Sequence, residues 1–489
     1  MTGSYDLLVV GGGINGVGIA RDAAGRGLSV LLCESNDLAS ATSSASSKLV
    51  HGGLRYLERY EFRLVAESLA EREVLLRCAP HIVRPMRFVM PHVRELRPAW
   101  MVRAGLFLYD YLARRQTLQG SRRVDLRAAP YGAGLKAGFK LGFVYSDCWV
   151  DDARLVILNA RAASDRGAQI ATRTTCTAAT RVAGGWRATL RTTDGRESEV
   201  GARAIVNVCG PWARSFLTQA VRQPTTFNLK LVQGSHIVVP RLYEGEHAFI
   251  LQNDDRRVVF VYPYEGRFTL IGTTDIELSG PPAPCQASVA EIDYLCRAAN
   301  RYFVRHLEVG DVVWSYCGIR PLFDDGSSNP SDITRDYVLR ADGSASEAPV
   351  LSVFGGKITT YRRLAERALE KLAPWFPALP GPWTGTVPLP GGGVGDSEAR
   401  YAGLPRELLA DLLRRHGASI GEVLGDARSV ADLGVHLGAD LYAREVDHFI
   451  RREWARTGED VLWRRTKCGL HLTALERQQV DHYVRQRVH

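Results

Sequence analysis

The stretch YDLLVVGGGINGVGIARDAAGRGLSVLLCES (residues 5–35) decides the fold of this chain. It contains a run of apolar residues at 7–10, a glycine loop, a helical segment at 14–24 and a second apolar run at 28–32. Apolar runs of this length, bounded by glycine, are typical of strands buried on both faces of a parallel sheet. The pattern therefore predicts a strand–helix–strand unit that binds a dinucleotide, within an α/β domain.

The glycine loop has the spacing that binding of a pyrophosphate requires. Gly11, Gly13 and Gly16 form G-x-G-x-x-G, which permits a sharp turn, close approach of the backbone to the pyrophosphate and close packing of the helix on the strand. Ile14 and Asn15 begin the helix, so their amides and the positive end of the helix dipole attract the phosphates. Strand, loop and helix together make this motif much more specific than the glycines alone.

Glu34 ends the second predicted strand, 18 residues beyond Gly16. A carboxylate about 20 residues after the last glycine usually holds the ribose hydroxyls of the dinucleotide. An acidic group there disfavours a 2′-phosphate, so NADP is disfavoured, whereas NAD and FAD remain.

Two later stretches favour FAD. ARAIVNVCGPWA (residues 202–213) is a buried strand pattern that breaks at Gly210, as a further strand of the nucleotide domain would. VLSVFGGKITTYRRLAERALEKL (residues 350–372) is a strand, a glycine pair and a long helix. The first-turn amides of that helix, with Thr359, can face the N1/C2=O edge of a flavin. The alternative for this second stretch is a capped helix after an ordinary strand–helix turn.

Composition limits the class of protein. The 489 residues are too many for one core and predict two or three domains. A formal charge of +9 suits an acidic partner: nucleic acid, a phosphorylated substrate or an anionic membrane. Arginine is spread along the chain without a basic tail or block, which disfavours nucleic acid.

Cysteine usage and hydropathy indicate the compartment. The nine cysteines are scattered, with no C-x-x-C and no zinc-type spacing, so we expect reduced thiols, a cytosolic protein and no structural metal. The N-terminus lacks the basic and apolar regions of a signal peptide, and no apolar run approaches the ~20 residues of a spanning helix.

Residues 228–275 alternate as antiparallel strands and predict a substrate-domain sheet over the cofactor. Three later motifs bring cations: GIRPLFDD contains Arg320, ITRDYVL contains Arg335 and GGKITTYR contains Lys357. Arginine offers planar bidentate donors that suit phosphate. The alternative is that each is a solvated surface residue, and Arg335 can simply pair with a neighbouring aspartate.

A Pro/Gly-rich connector at 374–396 separates a C-terminal region with a helical pattern. Thr473 and Glu476 have the spacing of a helix capping box. We expect a small all-α cap domain without catalytic groups. Its segment LWRRTKCGL (residues 462–470) is predicted to contact a membrane or a second subunit, and the sequence does not choose between them.

Taken together, the motifs resemble those of the FAD-dependent, aerobic-type glycerol-3-phosphate dehydrogenases, in the D-amino-acid-oxidase-like flavoprotein superfamily. Matching segments run through nearly the whole chain in the family order and include ATSSASSKLVHGGLRYLE, SDCWVDDARLV, NVCGPW, FVYPYEGRFTLIGTTD, GIRPL, SVFGGKITTYRRLAE and LWRRTKCG. The resemblance implies FAD, hydride transfer from C2 of sn-glycerol 3-phosphate to flavin N5, and electron transfer to membrane quinone.

The resemblance also implies roles for individual residues. The residues predicted to bind the cofactor are Gly11, Gly13, Ile14, Asn15, Gly16, Glu34, Thr42, Ser43, Ser44, Ser47, Gly52, Gly53, Gly210, Gly355, Gly356, Lys357 and Thr359. The catalytic candidates are His51, Arg55, Tyr56 and Arg320, and the substrate-binding candidates are Arg55, Thr274, Arg320, Arg335 and Lys357. His51 suits the base for the C2 hydroxyl because the unperturbed pKa of histidine lies near neutrality. The alternative is a histidine hydrogen-bonded to the cofactor or the backbone.

RPAWMVRAGLFLYDYLARR (residues 97–115) is an aromatic, weakly charged helical segment, too short to span a bilayer. The family resemblance favours a helix in the headgroup plane over the alternative of a buried core helix. We therefore predict peripheral binding to an anionic membrane surface. The very short lead before the first strand, with no transit peptide, predicts a bacterial protein on the cytoplasmic face of the cell membrane. We also expect a homodimer.

The predicted domains are a discontinuous FAD-binding domain (residues 1–90, 150–227 and 315–385), a substrate and membrane-facing domain (91–149 and 228–314) and the helical cap (388–489). The alternatives are an oxidase of the same substrate that uses O₂, a flavin-dependent amine or amino-acid oxidase, and a non-catalytic nucleotide- or nucleic-acid-binding protein.

Overall fold

The computed structural model describes residues 3–93, 98–225, 227–255, 257–324, 336–344, 347–395 and 397–488. Within them the strands are β1 (Ser4–Val10), β2 (Val30–Cys33), β3 (Leu49–Val50), β4 (Val83–Pro91), β5 (Arg122–Asp125), β6 (Leu141–Val150), β7 (Gln169–Ala171), β8 (Thr174–Val182), β9 (Gly185–Thr192), β10 (Glu197–Asn207), β11 (Leu229–Pro240), β12 (Ala248–Gln252), β13 (Val258–Tyr264), β14 (Phe268–Gly272), β15 (Ile276–Leu278), β16 (Trp314–Phe323), β17 (Val338–Asp342), β18 (Val350–Phe354), β19 (His436–Gly438) and β20 (Leu441–Tyr442). The helices are α1 (Ile14–Gly25), α2 (Phe62–Cys78), α3 (Ala99–Tyr111), α4 (Asp152–Ser164), α5 (Ala213–Ser215), α6 (Val289–Asn300), α7 (Tyr361–Leu372), α8 (Ser397–Arg400), α9 (Arg406–His416), α10 (Ile420–Leu424), α11 (Ala443–Arg452) and α12 (Ala474–Arg487).

The first sheet is the nucleotide-binding sheet that the opening stretch predicts. Its strand order is β17-β18-β10-β1-β2-β7, and the strands from β18 to β7 run parallel. Helices α1, α4 and α7 pack together beside it, and β1 is buried on both faces, as its unbroken apolar run requires. The late strands β10 and β18 join the sheet of β1 from far along the chain, and the predicted α/β fold is confirmed.

The second sheet is mostly antiparallel and has the order β15-β11-β14-β13-β12-β4-β6-β3, with β16 on β11 and β5 on β6. The antiparallel strands predicted for residues 228–275 are confirmed. However, β3, β4 and β16 also belong to this sheet, although all but the end residues Pro91 and Trp314 fall in ranges predicted for the FAD-binding domain. An alternating pattern identifies a strand but not the sheet that it joins.

The C-terminal domain is mainly helical and contains, in addition, the β19–β20 hairpin. The capping box is confirmed, since the Thr473 hydroxyl accepts a hydrogen bond from the Glu476 amide. The surface contact predicted for residues 462–470 is wrong. Arg464, Arg465 and Lys467 are buried and face inward, because their charges pair with carboxylates of the nucleotide-binding domain.

Helix α3 lies within the segment predicted to meet the membrane surface. Leu106 and Tyr109 are buried, whereas Trp100 is 70% exposed, Phe107 55% and Tyr111 68%. One face of α3 therefore packs on the protein and the other presents aromatic side chains to solvent. Arg97, at the start of the predicted segment, lies outside the described residues. Among the helices that the structure describes, none has the length and apolar character that crossing a bilayer demands.

The expectation that every cysteine is a reduced thiol is wrong. Cys285, in the loop before α6, and Cys317, in β16, form a disulfide with their Cα atoms 5.9 Å apart. The two residues are 32 positions apart and carry no recognisable spacing motif. The fold brings the loop beside the strand, and the sequence carries no signal of that contact.

Candidate active site

A cavity of about 290 Å³ opens between the two sheets. The loop after β2, the glycine pair after β18 and strands β11, β13 and β16 supply its walls. The carboxyl ends of parallel strands are the usual position of a ligand in an α/β sheet, because the helix N-termini point there. The cavity therefore occupies the place that the strand–helix–strand pattern predicts.

The glycine loop at the end of β1 has the conformation that its sequence predicts. Gly11 has a φ of +119°, and a Cβ atom there would lie 2.9 Å from the carbonyl carbon of Val208. The Gly12 amide donates to Glu34 Oε2 at 2.7 Å, so the carboxylate lies against the loop. The Ile14 amide, at the N-terminus of α1, donates to Ser43 Oγ at 3.0 Å.

The residues around the glycine pair fit the flavin of FAD. Asn15 Nδ2 donates to the Gly355 carbonyl at 3.2 Å, which joins the first glycine loop to the second. Asn15 Oδ1 is buried and has no hydrogen-bond partner among the described residues, so it leaves an acceptor for a ligand. A Cβ at Gly356 would lie 3.0 Å from Asn15 Nδ2, and only glycine leaves this space open. A helix N-terminus for the pyrophosphate and a carboxylate at the end of the second strand are features of dinucleotide sites, and the buried amide oxygen adds an acceptor beside them.

The loop after β2, which we call the serine loop (residues 37–48), lines the cavity with hydroxyl groups. The Thr42 hydroxyl donates to the Ile319 carbonyl at 2.7 Å and fixes the loop to β16. Ser47 Oγ lies 2.9 Å from His236 Nε2, and the Ser47 carbonyl accepts a hydrogen bond from Tyr262 at 2.5 Å. The loop thus bridges the two sheets.

His51 follows the short strand β3 and lines the cavity. Its amide donates to Thr359 Oγ1 at 3.2 Å, which ties it to the helix start after the glycine pair. The next amide, of Gly52, donates to the Tyr109 hydroxyl at 2.8 Å, and Tyr109 in turn donates to Asp147. The backbone on both sides of the imidazole is therefore fixed by buried groups.

Three basic residues and an aromatic ring line the same side of the cavity. Arg55, Tyr56 and Arg59 lie on one turn of helix (Leu54–Arg59), and Lys357 follows the glycine pair. The Lys357 ammonium lies 3.8 Å from the centroid of the Tyr56 ring. Such clustered cations attract a phosphate ester.

Arg320 reaches the cavity from β16 and is already held by an acid. Its guanidinium pairs with Asp275 and donates to Thr273 Oγ1 at 3.0 Å. It lies across Gly234, where a Cβ atom would lie 2.6 Å from Thr273 Oγ1 and 2.9 Å from the Arg320 Cζ atom. The absent side chain at Gly234 is therefore what makes room for the arginine.

His236 is a cavity residue that the sequence analysis missed. Its ring stacks on Tyr316 with the centroids 4.8 Å apart, and its Nδ1 has no hydrogen-bond partner among the described residues. Burial, followed by the positive charges of Arg320 and Lys48, holds the pKa of His236 well below its ordinary value. The imidazole is therefore neutral at physiological pH. Its alternating position in β11, two residues beyond Gly234, was the available signal.

The structure brings most of the predicted site residues together. Those that line the cavity are Ile14, Thr42, Ser43, Ser47, His51, Gly53, Arg55, Tyr56, Arg320, Gly355, Gly356, Lys357 and Thr359. The predicted residues that do not line it are Gly11, Gly13, Asn15, Gly16, Glu34, Ser44, Gly52, Gly210 and Thr274. Of these, Gly11 and Glu34 shape the glycine loop, Asn15 links it to Gly355, and the amide of Gly52 faces Tyr109. Arg335 lies outside the described residues.

Thr274 is placed differently from the prediction. Its hydroxyl donates to Glu291 at 2.7 Å and accepts from the Ser235 amide at 2.9 Å, so both of its bonding directions are used beneath the sheet. Thr273 faces the cavity instead. The prediction missed by one residue because the strand has ended and alternation no longer fixes the side.

A second group of potential metal ligands lies far from this cavity. Nitrogen and oxygen atoms of His416, His448 and Glu453 lie within 4.8 Å of one another. Glu453 already pairs with Arg154, and His416 Nε2 lies 2.7 Å from a carboxylate oxygen of Glu445. These groups form a buried ion-pair network. The positive charges of its arginines would repel a further cation.

Comparisons with known proteins agree with this geometry. Residues 6–362 match the family model "FAD dependent oxidoreductase", and residues 382–485 match "C-terminal domain of alpha-glycerophosphate oxidase". The chain is 54% identical to a glycerol-3-phosphate dehydrogenase of Pseudomonas aeruginosa, over 98% of this chain and 95% of that protein. It is 52% identical to a D-erythritol 1-phosphate dehydrogenase of Brucella abortus, over 96% of each chain.

Among solved structures, the glycerol-3-phosphate dehydrogenase of Bacillus halodurans complexed with FAD superposes with a TM-score of 0.75 and 25% identity. The match covers 99% of this chain and 94% of that one. The predicted cofactor is therefore confirmed, and the chain belongs to the FAD-dependent oxidoreductase family.

Proposed function

We propose that this protein oxidises sn-glycerol 3-phosphate to dihydroxyacetone phosphate with FAD. The observation that carries the proposal is the group of basic side chains, Arg55, Arg59, Lys357 and Arg320, in one cavity with His51 beside the FAD-binding loops. A phosphorylated polyol needs fixed cations for its phosphate and a base for its hydroxyl. The names of the relatives support this substrate class.

In the proposed reaction a C–H bond and an O–H bond of the substrate break, and the C2 carbonyl forms. Bound FAD supplies the hydride acceptor, at flavin N5. His51 takes the proton of the C2 hydroxyl on an imidazole nitrogen. Arg55 and Lys357 bind the phosphate, because both line the cavity together with His51 and a phosphate ester requires fixed cations. Arg320, which Asp275 partly neutralises, orients a hydroxyl together with Thr273.

Anaerobic reduction of the enzyme tests this proposal directly. sn-Glycerol 3-phosphate should bleach the flavin absorbance of the purified protein, whereas unphosphorylated glycerol and amino acids should leave it unchanged. Bleaching by an amino acid, or none with any phosphorylated polyol, would contradict the proposal. A colourless protein that binds DNA would instead support the non-enzymatic alternative.

D-Erythritol 1-phosphate is a second candidate substrate. The identity with the Brucella enzyme, 52%, is nearly as high as that with the Pseudomonas enzyme, 54%. The two compounds share a phosphate and a secondary hydroxyl and differ by one CHOH unit. Their kcat/KM values, measured with the same artificial acceptor, decide between them.

We further propose that the enzyme binds peripherally to the cytoplasmic face of the membrane and passes electrons to quinone. The exposed aromatic face of α3 supports this, since Trp100, Phe107 and Tyr111 can enter the headgroup region. Changing Trp100 and Phe107 to Glu should reduce flotation with anionic liposomes, whereas changing Val435, exposed in the C-terminal domain, should not. Oxygen uptake and peroxide formation without added quinone would favour the oxidase alternative.

A further inference from the structure

The C-terminal domain contains a basic segment (residues 462–469) whose charged side chains point into the molecule. Arg465 is fully buried, and Arg464 and Lys467 are nearly so. Arginine and lysine are almost never buried to this extent unless they are paired. Arg464 pairs with Glu459 and Asp460 within its own domain. All three basic residues also have partners in the nucleotide-binding domain, more than 300 residues earlier in the chain.

The first partner is Asp37, at the start of the serine loop. Arg464 Nε lies 2.6 Å from Asp37 Oδ2, and Arg465 donates from a second side to Asp37 Oδ1 at 2.9 Å. Two residues further on, the Ala39 amide donates to the Gly12 carbonyl at 3.2 Å. The two arginines therefore hold the point where the loop leaves the ribose-binding Glu34 and touches the glycine loop.

The second partner is Asp151, which caps α4 and lies beside the end of the serine loop. Lys467 Nζ lies 3.3 Å from Asp151 Oδ1. The next residue, Asp152, accepts from Lys48 Nζ at 2.8 Å and from Ser46 Oγ at 2.7 Å. Lys48 also donates to the Ser44 carbonyl at 3.0 Å, so this end of the loop is bonded in three places.

The charges of Lys467, Lys48, Asp151 and Asp152 are balanced within one buried cluster. Burial tends to raise the pKa of Asp151, but Lys467 and then Lys48 outweigh it, and the pKa lies below the ordinary value. Two buried cations and two buried carboxylates thus neutralise one another. Removing Lys467 leaves an uncompensated charge at the anchor of the serine loop, which is costly in a buried site.

We infer that the basic segment positions the serine loop for FAD, so that the C-terminal domain sets the affinity for the cofactor. Both ends of the loop that supplies Ser43 and Ser47 are held by this segment, directly at Asp37 and through Asp151 at the other end. The inference needs only the FAD that the family assigns and is independent of the proposed substrate. The basic segment contributes no side chain to the cavity, and its role is positioning.

FAD affinity of the full-length protein tests the inference. Apoprotein is titrated with FAD while quenching of the flavin fluorescence is followed. Lys467→Met should raise the Kd for FAD about tenfold, within the usual range of coupling between two sites. Arg485→Gln, which removes an exposed ion pair with Asp481 from the same domain, should leave the Kd unchanged. A Kd for Lys467→Met equal to that of the parent overturns the inference.

Hydrogen exchange separates positioning from a general structural role. In apo Lys467→Met, the amides of residues 37–48 should exchange faster than in the parent, whereas those of β1 and β10 should not. Faster exchange throughout the first sheet would show general loosening and would overturn the inference. If Lys467→Met does not fold, Arg464→Gln takes its place with the same outcomes. This change removes one of the two arginines on Asp37 together with the pairs to Glu459 and Asp460, while Arg465 keeps the segment attached to Asp37.

Discussion

Gly234→Ala fills the space that the side chains of Arg320 and Thr273 occupy above this glycine. The new Cβ would lie 2.6 Å from Thr273 Oγ1 and 2.9 Å from Arg320 Cζ, both too close for van der Waals contact. The guanidinium is the far end of a flexible side chain, so it can move, and the cost to folding is small. Moving it breaks the hydrogen bond to Thr273 and displaces the pair with Asp275.

The displaced guanidinium would also lose its proposed hydrogen bond to the substrate hydroxyl. One hydrogen bond to a charged group is worth about 1.5–3 kcal/mol, which corresponds to a fall in kcat/KM of about 10- to 150-fold. The assay is steady-state oxidation of sn-glycerol 3-phosphate with an artificial acceptor, with FAD content and the melting temperature measured on the same sample. Both of these should match the parent. Gly201→Ala is the matched control, because it is also a strand glycine and its Cβ would only touch Ser4 at 3.4 Å. If Gly234→Ala keeps the kcat/KM of the parent, Arg320 does not act on the substrate.

Three further changes give separate tests. His51→Asn should keep its FAD and lower kcat about 10²- to 10⁴-fold, as the loss of a general base does; turnover close to the parent value, measured in the same assay, removes His51 from that role. Burial tends to raise the pKa of Asp440, but Arg415 outweighs it and lowers the pKa to about 2, so the stabilisation is complete above the unfolded pKa and is lost as the pH falls towards 2. Asp440→Asn should therefore lower the free energy of unfolding by about 2 kcal/mol at pH 7, and urea unfolding should show this difference shrinking between about pH 4 and pH 2. A difference that does not change with pH would contradict the lowered pKa of Asp440. Gly25→Ala places a Cβ 2.5 Å from Nε1 of the rigid Trp383 indole. It should lower the free energy of unfolding by about 1–3 kcal/mol in the same urea assay, and an unchanged value would mean that the connector moves aside freely.

Features that depend on residues close together in the chain could be predicted from the sequence. Gly11, Gly13 and Gly16, with the strand before them and Glu34 after them, predict the nucleotide loop because each acts on residues close by in the chain. The capping box at Thr473 is local in the same sense. The sequence could identify arginine and lysine residues suited to a phosphate ester. It could not identify the residues that each of them contacts.

The remaining features depend on contacts between distant parts of the chain. Asp275, between β14 and β15, holds Arg320 of β16 because the fold brings the two segments together, and no pattern in either segment indicates the other. Arg465 is buried because it pairs with Asp37, 428 positions away. The sequence does not reveal this partner, and the basic residues alone predicted an exposed segment. His236 entered the cavity because β11 alternates from Gly234, a register that only the assembled sheet defines.

Tyr109 belongs to α3 and hydrogen-bonds to the peptide that follows His51. The opposite face of the same helix presents aromatic side chains to solvent. A membrane or detergent bound to that face would act on a helix whose Tyr109 hydroxyl accepts a hydrogen bond from the Gly52 amide, directly after the proposed base His51. Turnover with a water-soluble dye should therefore respond to added detergent or vesicles, even though the dye never needs a membrane. If the rate changes with neither detergent nor vesicles, contact with the exposed face of α3 is not transmitted through Tyr109 to the peptide after His51.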